Sequence, residues 1–273
     1  MKVAVVILCT NHSAFVAQAI RSVKSQTYTD YTIFVWDNNS KDNSVEVAEN
    51  SLIGAHGQVI RSHLPLRASY PVGVARWLSL RYLLERGNYD YVAILDADDY
   101  WHCRKLEKQM ALFEQDKGVK LVFSDCYYFD EKRGVVRDET FHSKYSPLMR
   151  DPFLGLLTKY NFMPCPTLVF EVAALRSVIG PPMHYSAAED YDWVLKMTAK
   201  YRCAYVKEPL AYYRIHRGQL TQNISARCTM EEIDVVKMAM HFRELSKREK
   251  RKVLRHLVFL YMKLLVKEIW RRG

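Results

Sequence analysis

The sequence predicts an α/β protein built on a Rossmann-like sheet, followed by a helical extension. Short apolar runs alternate with helical patterns, as in strands joined by crossover helices. Three of those runs end directly in polar or acidic clusters, and the last stretch of the chain is helical and basic. With 273 residues, 49% of them hydrophobic, the chain can bury one sizeable core. The organisation expected is one domain over residues 1–225 and a basic helical extension over 226–273.

Residues 3–9 form an apolar run that is very short for a signal peptide and has no small-residue cleavage site before Asn11 and His12, so it reads as a buried first strand. Ser13 then caps a helix with Val16, Ala19, Ile20 and Val23 on one face. Residues 32–36 are the second strand, and the turn cluster Asp37-Asn38-Asn39-Ser40-Lys41-Asp42 leads into a helix over 42–50. A short strand at 59–62 follows. A helix then runs from near Pro71 through Arg86 to a stop at Gly87. Residues 91–95 are the fourth strand, with Asp96-Ala97-Asp98-Asp99 directly behind it. Leu106, Met110 and Phe113 mark the next helix, before a strand at 120–124. The aromatic stretch 126–151 reads as hairpin or loop. A strand at 167–170, a helix at 188–200 and a strand at 205–213 complete the body, and helices at 229–243 and 246–271 form the extension.

Charge and cysteine usage exclude several classes. The net charge is +10, but residues 243–273 hold eleven Lys/Arg against three Glu, so the body is nearly neutral. That is a poor footprint for nucleic acid and a better one for an anionic surface met by the tail. Six scattered cysteines without a C-x-x-C pair argue against a zinc site or disulfide framework and fit a reducing cytosol. No segment approaches the ~20 apolar residues of a membrane span. In the tail, side chains 252, 256, 263, 267 and 271 form a basic stripe, with Val253, Leu254, Leu257, Val258, Tyr261, Leu264 and Leu265 on the other side. The expectation is a cytoplasmic protein held peripherally on the inner face of the membrane. The competing reading packs the apolar face on the body or on a second subunit, as a homodimer.

In open α/β sheets ligands bind at the carboxyl ends of the strands. Thr10-Asn11, Asp37–Asp42 and Asp96–Asp99 all fall there. No G-x-G-x-x-G or Walker lysine loop is present, so dinucleotide and P-loop readings lose their support. A helix cap needs one Asp; three carboxylates in Asp96-Ala97-Asp98-Asp99 suit Mg²⁺ or Mn²⁺ sharing substrate phosphates. Glu189-Asp190 in a first helical turn is explained equally by the macrodipole. Tyr213-Arg214-Ile215-His216, alone, is a polar edge strand.

Together and in this order, with Gly73-Val74-Ala75-Arg76, Tyr191-Asp192 and Glu208-Pro209-Leu210, these pieces resemble the family 2 glycosyltransferases of the GT-A fold over residues 3–225. The resemblance implies a mixed, mostly parallel sheet flanked by helices. It implies inverting transfer of a sugar from a nucleoside-diphosphate sugar, a UDP-sugar by preference, to a glycan or glycolipid hydroxyl in bacterial surface polysaccharide synthesis. By the same resemblance Asp37 receives the N3–H of uracil, Thr10, Asn11 and Arg76 line the nucleotide, and Asp96 lies near the ribose. Asp98 holds Mn²⁺ or Mg²⁺ on the diphosphate, Arg214 and His216 close over it with His216 reaching the metal, and Asp190 is the general base. As an exposed Asp it would be ionised at neutral pH. Residues 141–166, with Tyr145, Tyr160, Phe162 and Met163, are expected at the acceptor. The sequence departs from the family pattern at Leu8, where Pro is usual, at Thr10, at Asn38-Asn39, which replace Asp-Gly, and at Trp77. Asn39 tolerates the left-handed turn that Gly would take. The rivals are a nucleotidyltransferase, which would need a glycine-rich loop that residues 8–14 lack, and a non-catalytic membrane adaptor.

Overall fold

A computed structural model describes residues 1–62, 69–130, 132, 135–137, 146–180, 185, 188–216, 218–219 and 226–272. Strand β1 (Val3–Cys9) is buried along its whole length, as a central parallel strand covered on both faces must be. β2 (Tyr31–Asp37) and β4 (Tyr91–Asp96) flank it in parallel, with Cys9 opposite Asp37 and Leu8 opposite Asp96. This register brings the three polar clusters to one edge of the sheet. β3 (Gly57–Arg61) extends it beyond β2. Past β4 the sheet becomes mixed: β8 (Val169–Glu171) runs antiparallel to both β4 and β6 (Val119–Asp130). β9 (Arg202–Ile215) lies parallel to β6, β5 (Tyr100–Trp101) closes the far edge, and β7 (Val135–Arg137) pairs with the end of β6. The order is β3-β2-β1-β4-β8-β6-β9-β5, a mixed and mostly parallel sheet as expected.

Alternation along β1 sends successive side chains to opposite faces. Val3, Val5 and Ile7 join a core with α1 (Val16–Lys24), α2 (Ser44–Leu52) and α4 (Lys105–Gln115). Ala4 and Val6 join a second core with α3 (Val72–Arg86), α5 (Pro152–Thr158), α6 (Val172–Arg176) and α7 (Glu189–Lys200). Helices α8 (Ala226–Ala239) and α9 (Lys247–Arg272) pack on that same side, with Val235, Val236, Val253, Leu257 and Leu260 in its buried cluster.

Three local expectations change. Ser13 does not cap α1, which begins at Val16 without a side-chain cap; the Ser13 N–H instead donates to Asp42 Oδ2 at 3.1 Å, tying the loop after β1 to the loop after β2. Asp42 stays outside α2 because its Oδ1 accepts the Ser44 N–H at 3.0 Å. β6 runs on to Asp130 because residues 125–130 pair with 209–215 of β9 through two register shifts. Of the stretch read as hairpin or loop, residues 138–145, including Tyr145, lie outside the described residues. Asn39 has φ 60°, the left-handed conformation expected of it, and Asn11 at φ 55° shares it.

Candidate active site

The carboxyl edge of β1, β2 and β4 opens on a cavity of about 580 Å³. Thr10, Arg76, Asp96, Asp98 and Asp190, all anticipated from the sequence, lie on its wall. Asn11, Asp37, Arg214 and His216 are not among its described lining residues.

At one end, Asp98 Oδ2 lies 3.0 Å from His216 Nε2 and 3.9 Å from His12 Nε2. One ligand atom from each of His12, Asp98 and His216 falls within 4.8 Å of the other two. Burial works to raise the Asp98 carboxyl, but the hydrogen bond with His216 and the charge of His12 outweigh it, holding the group below its ordinary range. Two imidazoles and one carboxylate suit a divalent transition ion such as Mn²⁺ better than Mg²⁺, which prefers oxygen ligands, and three protein ligands leave positions for phosphate oxygens. The neighbouring Asp99 is buried and accepts the Arg214 N–H at 2.8 Å. Burial, then the charges of Asp98 and Asp96, push it well above the carboxylate range, and it both lines the cavity and anchors the turn.

Arg214 supports this end from behind. Its Nε donates to the Asp98 carbonyl at 2.7 Å, and the guanidinium also bonds Gln18. Its cation lies over the rings of Phe15, Phe129 and Tyr100 at 4.8, 5.2 and 5.6 Å. That aromatic surround draws the guanidinium off the cavity wall.

At the other end, Arg76 is buried between two acids. Its Nε donates to Glu189 Oε1 at 2.7 Å, and Nη1 lies 2.9 Å from Asp96 Oδ1, ion-pair distance without hydrogen-bond alignment. Gly73, one helical turn earlier, leaves the space this contact needs, since a Cβ there would meet the Tyr185 carbonyl at 2.5 Å and Glu189 at 3.2 Å. Asp190, at the start of α7, accepts from Asn161 Nδ2 at 3.2 Å and from the Tyr191 N–H at 2.7 Å. Burial, and next the charge of Glu189, raise it to about 7, with Arg76 offsetting only part. The expectation of an exposed Asp with an ordinary carboxylate pKa is therefore corrected: burial raises this group to about 7.

The loops between these ends are cross-braced. Asn38, buried, donates to Thr10 Oγ1 at 3.1 Å and to the Tyr70 carbonyl at 3.0 Å, and accepts the Tyr70 N–H at 3.0 Å. A carboxylate could not make the donor half of this set, which accounts for Asn at this position. Asn11 Oδ1 accepts the Lys41 N–H at 2.6 Å, and the Asn11 N–H donates to Ser40 Oγ at 2.9 Å. Asp37 is buried beneath, with Oδ1 accepting the Ser40 N–H at 3.2 Å.

Sequence reasoning passed over His12, Asn161 and the Arg76–Glu189 pair. His12 had a usable signal, since it follows Thr10-Asn11 at the carboxyl end of β1. Asn161 had none, because its stretch carries no periodicity. Tyr160, Phe162 and Met163 divide: Met163 lines the cavity, Phe162 is core, and Tyr160 lies between α5 and α9.

Residues 4–176 match the profile of the family described as Glycosyl transferase family 2. Over 222 residues the chain is 25% identical to the UDP-Glc:alpha-D-GlcNAc-diphosphoundecaprenol beta-1,3-glucosyltransferase WfaP of Escherichia coli, covering 81% of this chain and 80% of that protein. Among solved structures, S. aureus TarS 1-349 in complex with UDP-GlcNAc superposes with TM-score 0.72 at 16% identity, covering 96% of this chain and 73% of TarS. The mannosyltransferase PcManGT from Pyrobaculum calidifontis, in complex with GDP-Man and Mn²⁺, gives 0.67 at 14% identity, with 96% and 70% covered.

Proposed function

We propose, from the premise that this chain belongs to glycosyl transferase family 2, that it moves a sugar from a UDP-sugar to the hydroxyl of a glycan or glycolipid with inversion at the sugar carbon. The observation that carries this reading is the meeting, at one cavity, of Asp98, clustered with His12 and His216 so that the three could hold a divalent cation, and Asp190, whose carboxyl burial raises to about 7.

His12, Asp98 and His216 would hold the cation, which supplies positive charge to a diphosphate leaving group. Asp190 takes the proton of the acceptor hydroxyl while that oxygen bonds to the anomeric carbon. The bond from that carbon to the diphosphate breaks with its electron pair on the diphosphate. A base whose pKa lies near the working pH combines useful strength with an adequate ionised fraction. Asn161 holds one oxygen of Asp190 through its amide. Arg76, shared between Asp96 and Glu189, fixes the wall from which Asp190 projects.

Uracil is favoured because the family resemblance sets Asp37 against the base, and because the Escherichia coli relative is named for UDP-Glc. PcManGT, named with GDP-Man, is the contrasting case. A thermal-shift panel of UDP, GDP and their sugars with and without Mn²⁺ tests the assignment. Saturating UDP with Mn²⁺ is expected to add ~2.7 kcal/mol at 100 times its dissociation constant, several degrees in Tm. A shift with GDP and none with UDP overturns the base assignment. No UDP release from any UDP-sugar and acceptor overturns the transfer reading.

A further inference from the structure

Helix α9 divides around its circumference in a way that its sequence did not disclose. At 100° per residue, Val253, Leu257 and Leu260 face the core. The stripe read as basic turns toward the protein as well: His256 is buried, Lys263 pairs with Glu232 at 3.2 Å, and Lys267 donates to Thr229 at 2.9 Å. The opposite arc is left uncovered. Leu254, Val258, Phe259, Tyr261, Met262, Leu265 and Val266 are each between 41% and 62% exposed. Such a concentration of large apolar side chains on one helix is far more than scattered surface hydrophobes. Toward the start of the helix the same arc is basic, with Arg248, Arg251 and Arg255 exposed.

Beside this arc a groove of about 800 Å³ runs between α5 and α9. Arg150, Lys159, Lys252 and Arg255 line it, and Asp151, the one carboxylate among its described lining residues, is bound by Arg243 at 2.7 and 3.0 Å. At its floor His256 is only 7% exposed, and its buried Nε2 has no hydrogen-bond partner among the described residues. A buried polar atom left unpaired costs free energy unless a ligand satisfies it. Four basic side chains lining the same groove select an anionic group.

We propose that the outward arc of α9 docks in the interface of an anionic phospholipid membrane, with residues 258–266 among the acyl chains and a lipid phosphate in the α5–α9 groove. No helix among the described residues is long and apolar enough to cross a membrane, so lying in the interface is the geometry that buries this arc. A second copy of the chain is the poorer occupant. A two-fold contact through the arc would bring Arg248, Arg251 and Arg255 of both copies into one interface and add like charge to it. An anionic surface reverses the sign of that term. The placement also fits transfer to a membrane-held acceptor, since Tyr160 lines the groove and the next residue, Asn161, contacts Asp190. That last link rests on the transfer reading; the docking does not.

The test is flotation of the full chain with phosphatidylglycerol/phosphatidylcholine vesicles and with pure phosphatidylcholine vesicles, in the absence of any donor. The anionic vesicles are expected to bind at least ~10-fold more protein, an excess removed by ~0.5 M NaCl. Arg251→Ala with Arg255→Ala is expected to lower binding to anionic vesicles ~10-fold or more, at about 1 kcal/mol per basic residue. Phe259→Ser with Met262→Ser is expected to lower it at least as far. Both pairs are exposed, so Tm and the UDP–Mn²⁺ thermal shift should match the parent chain. Equal binding to neutral and anionic vesicles, or full binding by the arginine variant, overturns the proposal. So does a lipid-free dimer, seen by sedimentation velocity, that the Phe259/Met262 variant dissociates.

Discussion

The two ends of the cavity hold the same side chain under opposite constraints. Asp98 meets two imidazoles, and their hydrogen bond and charge overcome its burial, so its carboxyl is held below the ordinary range. Asp190 meets Glu189 and a guanidinium already shared with Asp96, so burial prevails and the carboxyl rises to about 7. Two carboxylates whose surroundings push their pKa values apart are thereby given different work. A permanent anion suits a cation; a group that titrates at the working pH suits a proton. The difference teaches that the Arg76–Glu189–Asp96 chain matters for what it withholds. Were Arg76 free to pair with Asp190, both ends of the cavity would hold depressed carboxylates and neither would be an effective base.

The sharpest way to break this comparison is to remove the anion. Asp98→Ala is expected to lower transfer by ~10³, the upper range for loss of one charge-stabilising group. It should also abolish the Mn²⁺-dependent part of UDP binding, read by thermal shift. Retained metal-dependent binding would assign the cation elsewhere. Asp190→Asn should be next, cutting kcat by at least ~10² while donor affinity stays within a few-fold. The parent enzyme's kcat/KM should rise with pH through a limb near 7, because the ionised form is the active one. Asn161→Leu should cost less, roughly 10-fold on the scale of one hydrogen bond to a charged group. It should also move that limb upward, since the lost N–H favoured the ionised form. A fall in rate with the limb unmoved would make Asn161 a packing residue.

How much of this was legible in the sequence depends on the range of the forces involved. The strand-end clusters at Thr10, Asp37 and Asp96 could be read because apolar strands are local signals and parallel register carries their ends to one edge. Asn39 could be read because a left-handed φ limits residue type at a single position. Ser13 misled because its spacing to Val16 matched a cap, while its N–H was claimed by Asp42, a tertiary partner. The shift on Asp190 was invisible: it depends first on burial and then on Glu189, which is locked to Arg76 across more than a hundred residues of sequence. Arg214 lay in a recognisable run, yet its direction is set by Phe15, Tyr100 and Phe129 on three separate segments. The faces of α9 resisted reading for a different reason, since apolar side chains occupy both the packed and the outward arc.

The smallest expected effect bears on stability and tests the Asp190 end alone. Its carboxyl ordinarily titrates at 3.8 and in the folded chain at about 7. Below the lower value both folded and unfolded chains carry the proton, and the site costs nothing. Between the two the unfolded chain has released its proton while the folded chain keeps it, so stability falls as pH rises. Above the upper value the cost of the buried charge is complete. Asp190→Asn removes that charge with little change in shape, so its benefit should appear only as pH rises. Each pKa unit is worth about 1.4 kcal/mol, and solvent reaching the cavity reduces the total, so a gain of ~1–2 kcal/mol is the reasonable scale. In a chain of this size that is a Tm increase of ~2–8 °C at ~pH 8 and none at ~pH 4. The measurement is a pair of Tm–pH series for the parent chain and the variant. Curves that converge at low pH and separate above neutrality would show the same side chain limiting stability and serving as the base. A variant less stable at every pH would instead make Asp190 a cap for α7, held by its bond to the Tyr191 N–H, and would end the contrast with Asp98.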